Sequence, residues 1–85
     1  MYNDEGEFIG KKGDVVTILN QNLDGKPIIE DKAVLVSFIR ESWHYKATDG
    51  NIYNLVDWVV KYSDGGTATR TIYPQCDVDS VRERQ

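Results

Sequence analysis

One cysteine, Cys76, and one histidine, His44, are all that these 85 residues offer of either type. A lone thiol permits no internal disulfide, so the fold has to be held by its core. One His with one Cys is too few for a zinc site or a Cys–His nucleophile pair within a single chain. Long apolar runs are missing too. None approaches the ~18 residues of a membrane-spanning helix, which excludes an integral helical membrane protein. The opening Met1-Tyr2-Asn3-Asp4-Glu5 carries acids where a secretion signal carries a basic flank and an apolar stretch. A cytoplasmic chain is expected.

A surplus of basic charge is also lacking. The net charge is −4, from 10 basic and 14 acidic side chains, and its placement matters more than its total. Asp4, Glu5 and Glu7 stand at the start with no base among them. Residues 8–75 are balanced, and the last ten residues are nearly so. Phosphate-binding domains show a basic stripe or surplus. Lys11-Lys12 is the only basic doublet here, and Asp14 follows it. Nucleic acid therefore ranks third among the partners considered. A mimic of nucleic acid would need acids spread over the folded surface, which a balanced body does not supply.

What is present is β pattern. Hydrophobic residues make up 40% and charged residues 28%, a globular composition, and 9.7 kDa leaves room for one core only. Residues 14–19 are β-branched and apolar behind Gly13. Residues 33–40 are apolar but for Ser37 and the closing Arg40, which predicts a central strand covered on both faces. Residues 43–48 and 52–55 flank Asp49-Gly50-Asn51, and residues 57–62 meet 67–73 across Ser63-Asp64-Gly65-Gly66. Both read as hairpins. Pro74 stops the last of these strands, and Val78–Glu83 is expected as a short closing strand after a turn. Residues 1–11 read as an acidic tail docking through Phe8 and Ile9, ahead of one domain over 12–83.

Alternation along residues 57–62 puts Trp58, Val60 and Tyr62 on one face; Phe38 shares a face with Val34 and Val36. These are expected in the core. Trp43 and Tyr45 share a face of the 41–55 hairpin, with Tyr53 on the returning strand. Rings with one wet edge serve as interface anchors, so Trp43, Tyr45 and Tyr53, with Tyr73 on the rim, are the candidate binding residues. Arg40, Lys46 and Arg70 are the candidates for an anionic ligand.

Two motifs lead elsewhere. Asn20 to Asp31 spaces oxygen side chains and Gly25 as a calcium loop does. It begins with Asn20 rather than Asp, ends with Asp31 rather than Glu, and carries the stiff Pro27, so a long β–β loop is the reading. No metal or cofactor is expected. His44 lacks any nucleophile or metal set to act with, and Cys76 lacks a base, which makes it a small buried side chain.

A Gly-Asp-Val-Val-Thr-Ile strand, an apolar strand, then Trp58-Val59-Val60-Lys61-Tyr62-Ser63-Asp64-Gly65-Gly66 and a Thr-rich strand ending Ile72-Tyr73-Pro74 follow in order. This order resembles the SH3-like small barrel, above all its Tudor and bacterial or phage variants. The resemblance implies an all-β antiparallel barrel over about residues 12–83, with an extra hairpin at 41–55 and a 3₁₀ turn near the C-terminus. The acidic-aromatic loop of peptide-binding SH3 domains is absent, so a proline-rich ligand is not implied. The expected function is a non-enzymatic protein-interaction module, an inhibitor or adaptor of phage-accessory type. A small-ligand or nucleotide-binding protein, as a dimer, is the alternative.

Overall fold

Four antiparallel strands and one helix emerge in the computed structural model, which describes residues 1–84. The strands are β1 (Val15–Gln21), β2 (Pro27–Lys46), β3 (Ile52–Lys61) and β4 (Thr67–Ile72), followed by α1 (Gln75–Glu83). They form one sheet in sequence order, β1-β2-β3-β4, with no ladder joining β1 to β4. The chain is mostly β, and its sheet is open.

Tight turns set this topology. Asn22 N–H donates to the Lys26 carbonyl, Ala47 to Asn51, and Tyr62 to Gly66, all at 2.8–3.0 Å. In each loop the glycine after Asp lies in the left-handed region, at φ 76° for Gly25, 86° for Gly50 and 89° for Gly65. An Asp side chain that hydrogen-bonds its own backbone, followed by a residue free of Cβ strain, suits such hairpins. The long loop expected over 20–31 is therefore a hairpin of five residues. Its strands pair from Gln21 with Pro27 onward, and Asn22 Oδ1 accepts from the Asp24 and Lys26 N–H groups.

The 41–55 segment is not an appended hairpin but the far end of β2 and β3. β2 runs 20 residues, serving β1 with its first part and β3 with its second. Three bulges interrupt the β2–β3 ladder, opposing Val36 and Ser37 to Val59, Ile39 and Arg40 to Asp57, and Ser42 and Trp43 to Leu55. Each adds a residue to β2 and none to β3, which bends the strand and increases its twist. Lys32, at φ 61°, makes a further kink where the ladder with β1 shifts. So β2 is not covered on both faces as its apolar run suggested. Beyond Val36 it leaves the core, and Phe38 and Ile39 are exposed.

The core is the face carrying Ile18, Ala33, Leu35, Val56, Trp58, Val60 and Ile72. Full burial of an Ile, Leu or Val is worth about 1.5–3 kcal/mol. Ile18, Leu35 and Val60 reach it. Tyr2 and Phe8 pack on this cluster, because residues 1–9 fold back as a fourth copy of the same turn. Asn3 N–H donates to the Glu7 carbonyl at 2.9 Å, Gly6 has φ 80°, and Tyr2 bridges Phe8. Tyr2, not Ile9, is the second docking side chain; Ile9 is exposed.

This turn abuts the β3 edge past the end of β4. Asn54 N–H donates to the Gly6 carbonyl at 2.8 Å. A Cβ on Gly6 would overlap the Ile52 carbonyl oxygen and lie 3.2 Å from Tyr53 Cα. Gly6→Ala is therefore expected to destabilise by more than about 1 kcal/mol, since backbone overlap adds to the strained φ. Gly13→Ala, at φ 93° with open space around it, meets only the second cost. Urea melts of the two variants side by side check this, and equal losses would deny the contact.

Residues 75–83 are helical, correcting both the closing strand and the 3₁₀ turn. Asp77 in the first turn and Arg82 in the last match the helix dipole. Val78 and Val81 are buried, and Arg82 pairs with Asp31 on β2. The helix lies against β1 and β2. Cys76 at its start is free and only partly buried.

Candidate interaction surface

Of the four singled-out rings, three have ring partners and one stands apart. Tyr45 lies opposite Tyr53 in the ladder, and its ring meets Tyr73 edge-on at 5.6 Å. Tyr53 donates to Asp49 Oδ2 at 2.6 Å, and its ring meets Tyr2 at 5.4 Å. These contacts bind the hairpin end to the two terminal segments. Thr48 N–H reinforces them by donating to Asp77 Oδ1 at 3.0 Å. Trp43 stands apart in the third bulge, 52% exposed.

The phenols record this environment. Asp77 beside Tyr45 and Asp49 beside Tyr53 each push the hydroxyl up to about 12. Burial raises Tyr2, Tyr62 and Tyr73 as well. All five tyrosines of the chain are thus shifted upward. A raised folded value means the native state holds its proton where the unfolded chain has lost it. Stability is then fully present below pH ~10 and falls as pH climbs from there through the folded values. Absorbance at 295 nm should show little tyrosinate until well above pH 10, rising together with unfolding. A normal titration of even two tyrosines in the folded protein would contradict this.

The basic candidates are not gathered into one site. Arg40 Nη1 contacts Asp57 Oδ2 at 2.6 Å, and Thr71 Oγ1 donates to Asp57 Oδ1 at 2.6 Å. Asp57 is buried, and these two partners hold both of its oxygens. Arg70 donates to the Tyr62 hydroxyl and its neighbour's carbonyl, and it lies opposite Trp58, on the other side of the sheet from Arg40. Lys46 lies opposite Ile52, five β3 positions from Asp57, or ~17 Å along the strand. His44 is exposed opposite Asn54.

A further feature lies outside the sequence reading. Glu7, Phe8, Gly10, Phe38, Glu41, Asn54, Val56 and Trp58 line an open cleft of about 410 Å³ beside the N-terminal turn. Phe38 meets the Trp58 ring edge-on at 5.8 Å, and Phe8 meets it at 6.1 Å. Phe38 packs with Trp58 as expected, yet it is 51% exposed and forms a wall of the cleft. The Trp58 indole N–H is buried with no acceptor among the described residues. Among these residues neither Glu7 nor Glu41 has an ion-pair partner, while Asp57 and Asp31 each hold an arginine. Thirty-four positions separate Glu7 from Glu41, and only the folded-back turn joins them.

The chain matches no family model, no curated protein and no solved structure. Among the described residues no group of side chains is placed to hold a metal ion, and no helix is long and apolar enough to cross a membrane.

Proposed function

We propose that this protein is a non-enzymatic interaction module that docks on a larger protein through the β2–β3 hairpin, as an inhibitor or adaptor. Its antiparallel sheet, bent by three bulges in β2, is read as an incompletely closed relative of the small SH3-like barrels. Trp43 is the anchor, Tyr45 and Tyr53 extend the surface on the same side of the ladder, and Tyr73 forms the rim. A cytoplasmic setting accords with the free Cys76 thiol.

The observation that carries this reading is Trp43. A bulge holds a large amphipathic ring outward with no ring partner among the described residues, between stretches of β2 that pair with β3 at Glu41 and at His44. Pre-ordered aromatic side chains bind at low entropic cost. Phe38, Ile39 and Ile52 are exposed on the same two strands. The experiment is capture of a binding protein by the full chain and by Trp43→Ala, with a titration against the captured protein. Retained affinity in the variant would remove the anchor and the reading with it.

A further inference from the structure

We propose that the cleft between the N-terminal turn and β2 is a second docking site, one that receives an arginine side chain from a basic peptide segment. It lies on the opposite side of the hairpin ladder from Trp43, because Glu41 and His44 oppose Val56 and Asn54, which line the cleft, and Trp43 alternates with His44 along the strand. The inference therefore stands independently of the Trp43 surface.

The lining selects the ligand. Glu7 and Glu41 supply two carboxylates without ion-pair partners, and no Lys or Arg is among the lining residues. Phe8, Phe38 and Trp58 supply aromatic surface between them. A guanidinium satisfies both demands at once. Its flat face stacks on a ring while its N–H groups reach carboxylates, and it is more weakly hydrated than an ammonium. An anion would meet like charge with no donor cation, and a purely apolar group would desolvate the two carboxylates without compensation.

Charge also selects against a second copy of this chain. A two-fold interface through the cleft would bring Glu7 and Glu41 against their own counterparts, with Asp4 and Glu5 close by in sequence. Trp58, whose buried indole N–H has no acceptor among the described residues, is one of the lining residues. Fixing the cleft needs the Gly6 turn in place, since Asn54 N–H holds that turn through the Gly6 carbonyl.

The test uses the full chain and a short glycine–serine peptide carrying one arginine between two leucines. Binding is followed through amide and indole N–H signals in NMR. The expected result is saturable shifts at Glu7, Phe38, Glu41 and the Trp58 indole. Glu41→Gln should weaken binding about tenfold and the Glu7→Gln, Glu41→Gln pair further, as removal of charge partners does. Trp43→Ala should bind the peptide as the parent chain does, which separates this site from the proposed anchor. A peptide with neutral citrulline in place of arginine should produce no saturable shift. The inference is overturned if the citrulline peptide binds equally well, if the double variant keeps full affinity, or if the arginine peptide shifts none of these signals. The citrulline comparison needs no variant, so a folding defect cannot obscure it.

Discussion

Replacing Trp58 by alanine is expected to cost about 3–5 kcal/mol of unfolding free energy, the range for truncating a buried large aromatic side chain. Trp58 is 7% exposed, on a strand flanked by β2 and β4, and it touches both Phe8 and Phe38. Its loss leaves a cavity where the N-terminal turn, β2 and β3 meet, so two segments far apart in sequence lose their common contact. Part of the cost is offset, because the indole N–H is buried without an acceptor. An orphaned donor of this kind costs about 1–3 kcal/mol. Trp58→Phe should accordingly lose much less than Trp58→Ala. Urea unfolding of the two variants measures the difference. A near-neutral alanine variant would mean that the strand faces are assigned backwards.

Trp43→Ala is expected to do the reverse, with an effect on partner binding far larger than its effect on folding. Aromatic anchors at the centre of an interface commonly cost ~2 kcal/mol or more when truncated, about thirtyfold in affinity. A surface substitution usually shifts stability by less than ~0.5 kcal/mol. Trp43 is half-exposed and touches no other ring among the described residues, so little folding energy rests on it. The comparison is a binding titration beside a urea melt of the same variant. Lost stability with unchanged affinity in the folded fraction would return Trp43 to a packing role and leave the interface unplaced.

Two hairpins were legible where Asp-Gly followed a β-rich run, at Asp49-Gly50 and Asp64-Gly65, while Asp24-Gly25 read as part of a long loop. The local chemistry suffices there, since a left-handed residue after an Asx side chain needs no distant help. Asn3-Asp4-Glu5-Gly6-Glu7 has nearly the same grammar, but its acids read as a solvated tail. What makes it a turn that docks is the Ile52–Asn54 edge, a contact across nearly fifty residues. The helix at 75–83 escaped for a similar reason. It has only Val78 and Val81 as a buried pair, and Pro74 at its N-cap makes no side-chain bond. Asp77 and Arg82 at its two ends were the available signal.

Which apolar residues face outward was not legible at all in β2. Alternation assigns neighbours to opposite faces relative to one another. It says nothing of where a bulge inserts an extra residue and repeats a face. Phe38 read as core by its spacing from Val34 and Val36. Three bulges carry the strand away from the sheet centre, and the ring ends half in solvent. Glu7 and Glu41 could not be paired from the sequence either, as nothing local relates them.

By itself, then, the amino-acid sequence determined a single core without a crosslink, an antiparallel β chain, the positions of two of its hairpin turns, and an acidity concentrated toward the ends. All of these depend on composition or on interactions within a few residues. Only the tertiary structure decided that β2 is one bent strand of 20 residues, that the first nine residues fold back against β3, and that a helix follows β4. It also decided that Phe38, core by its spacing, lies half outside. The physical reason is that burial is a property of what covers a face, and the covering segments come from the two ends of the chain.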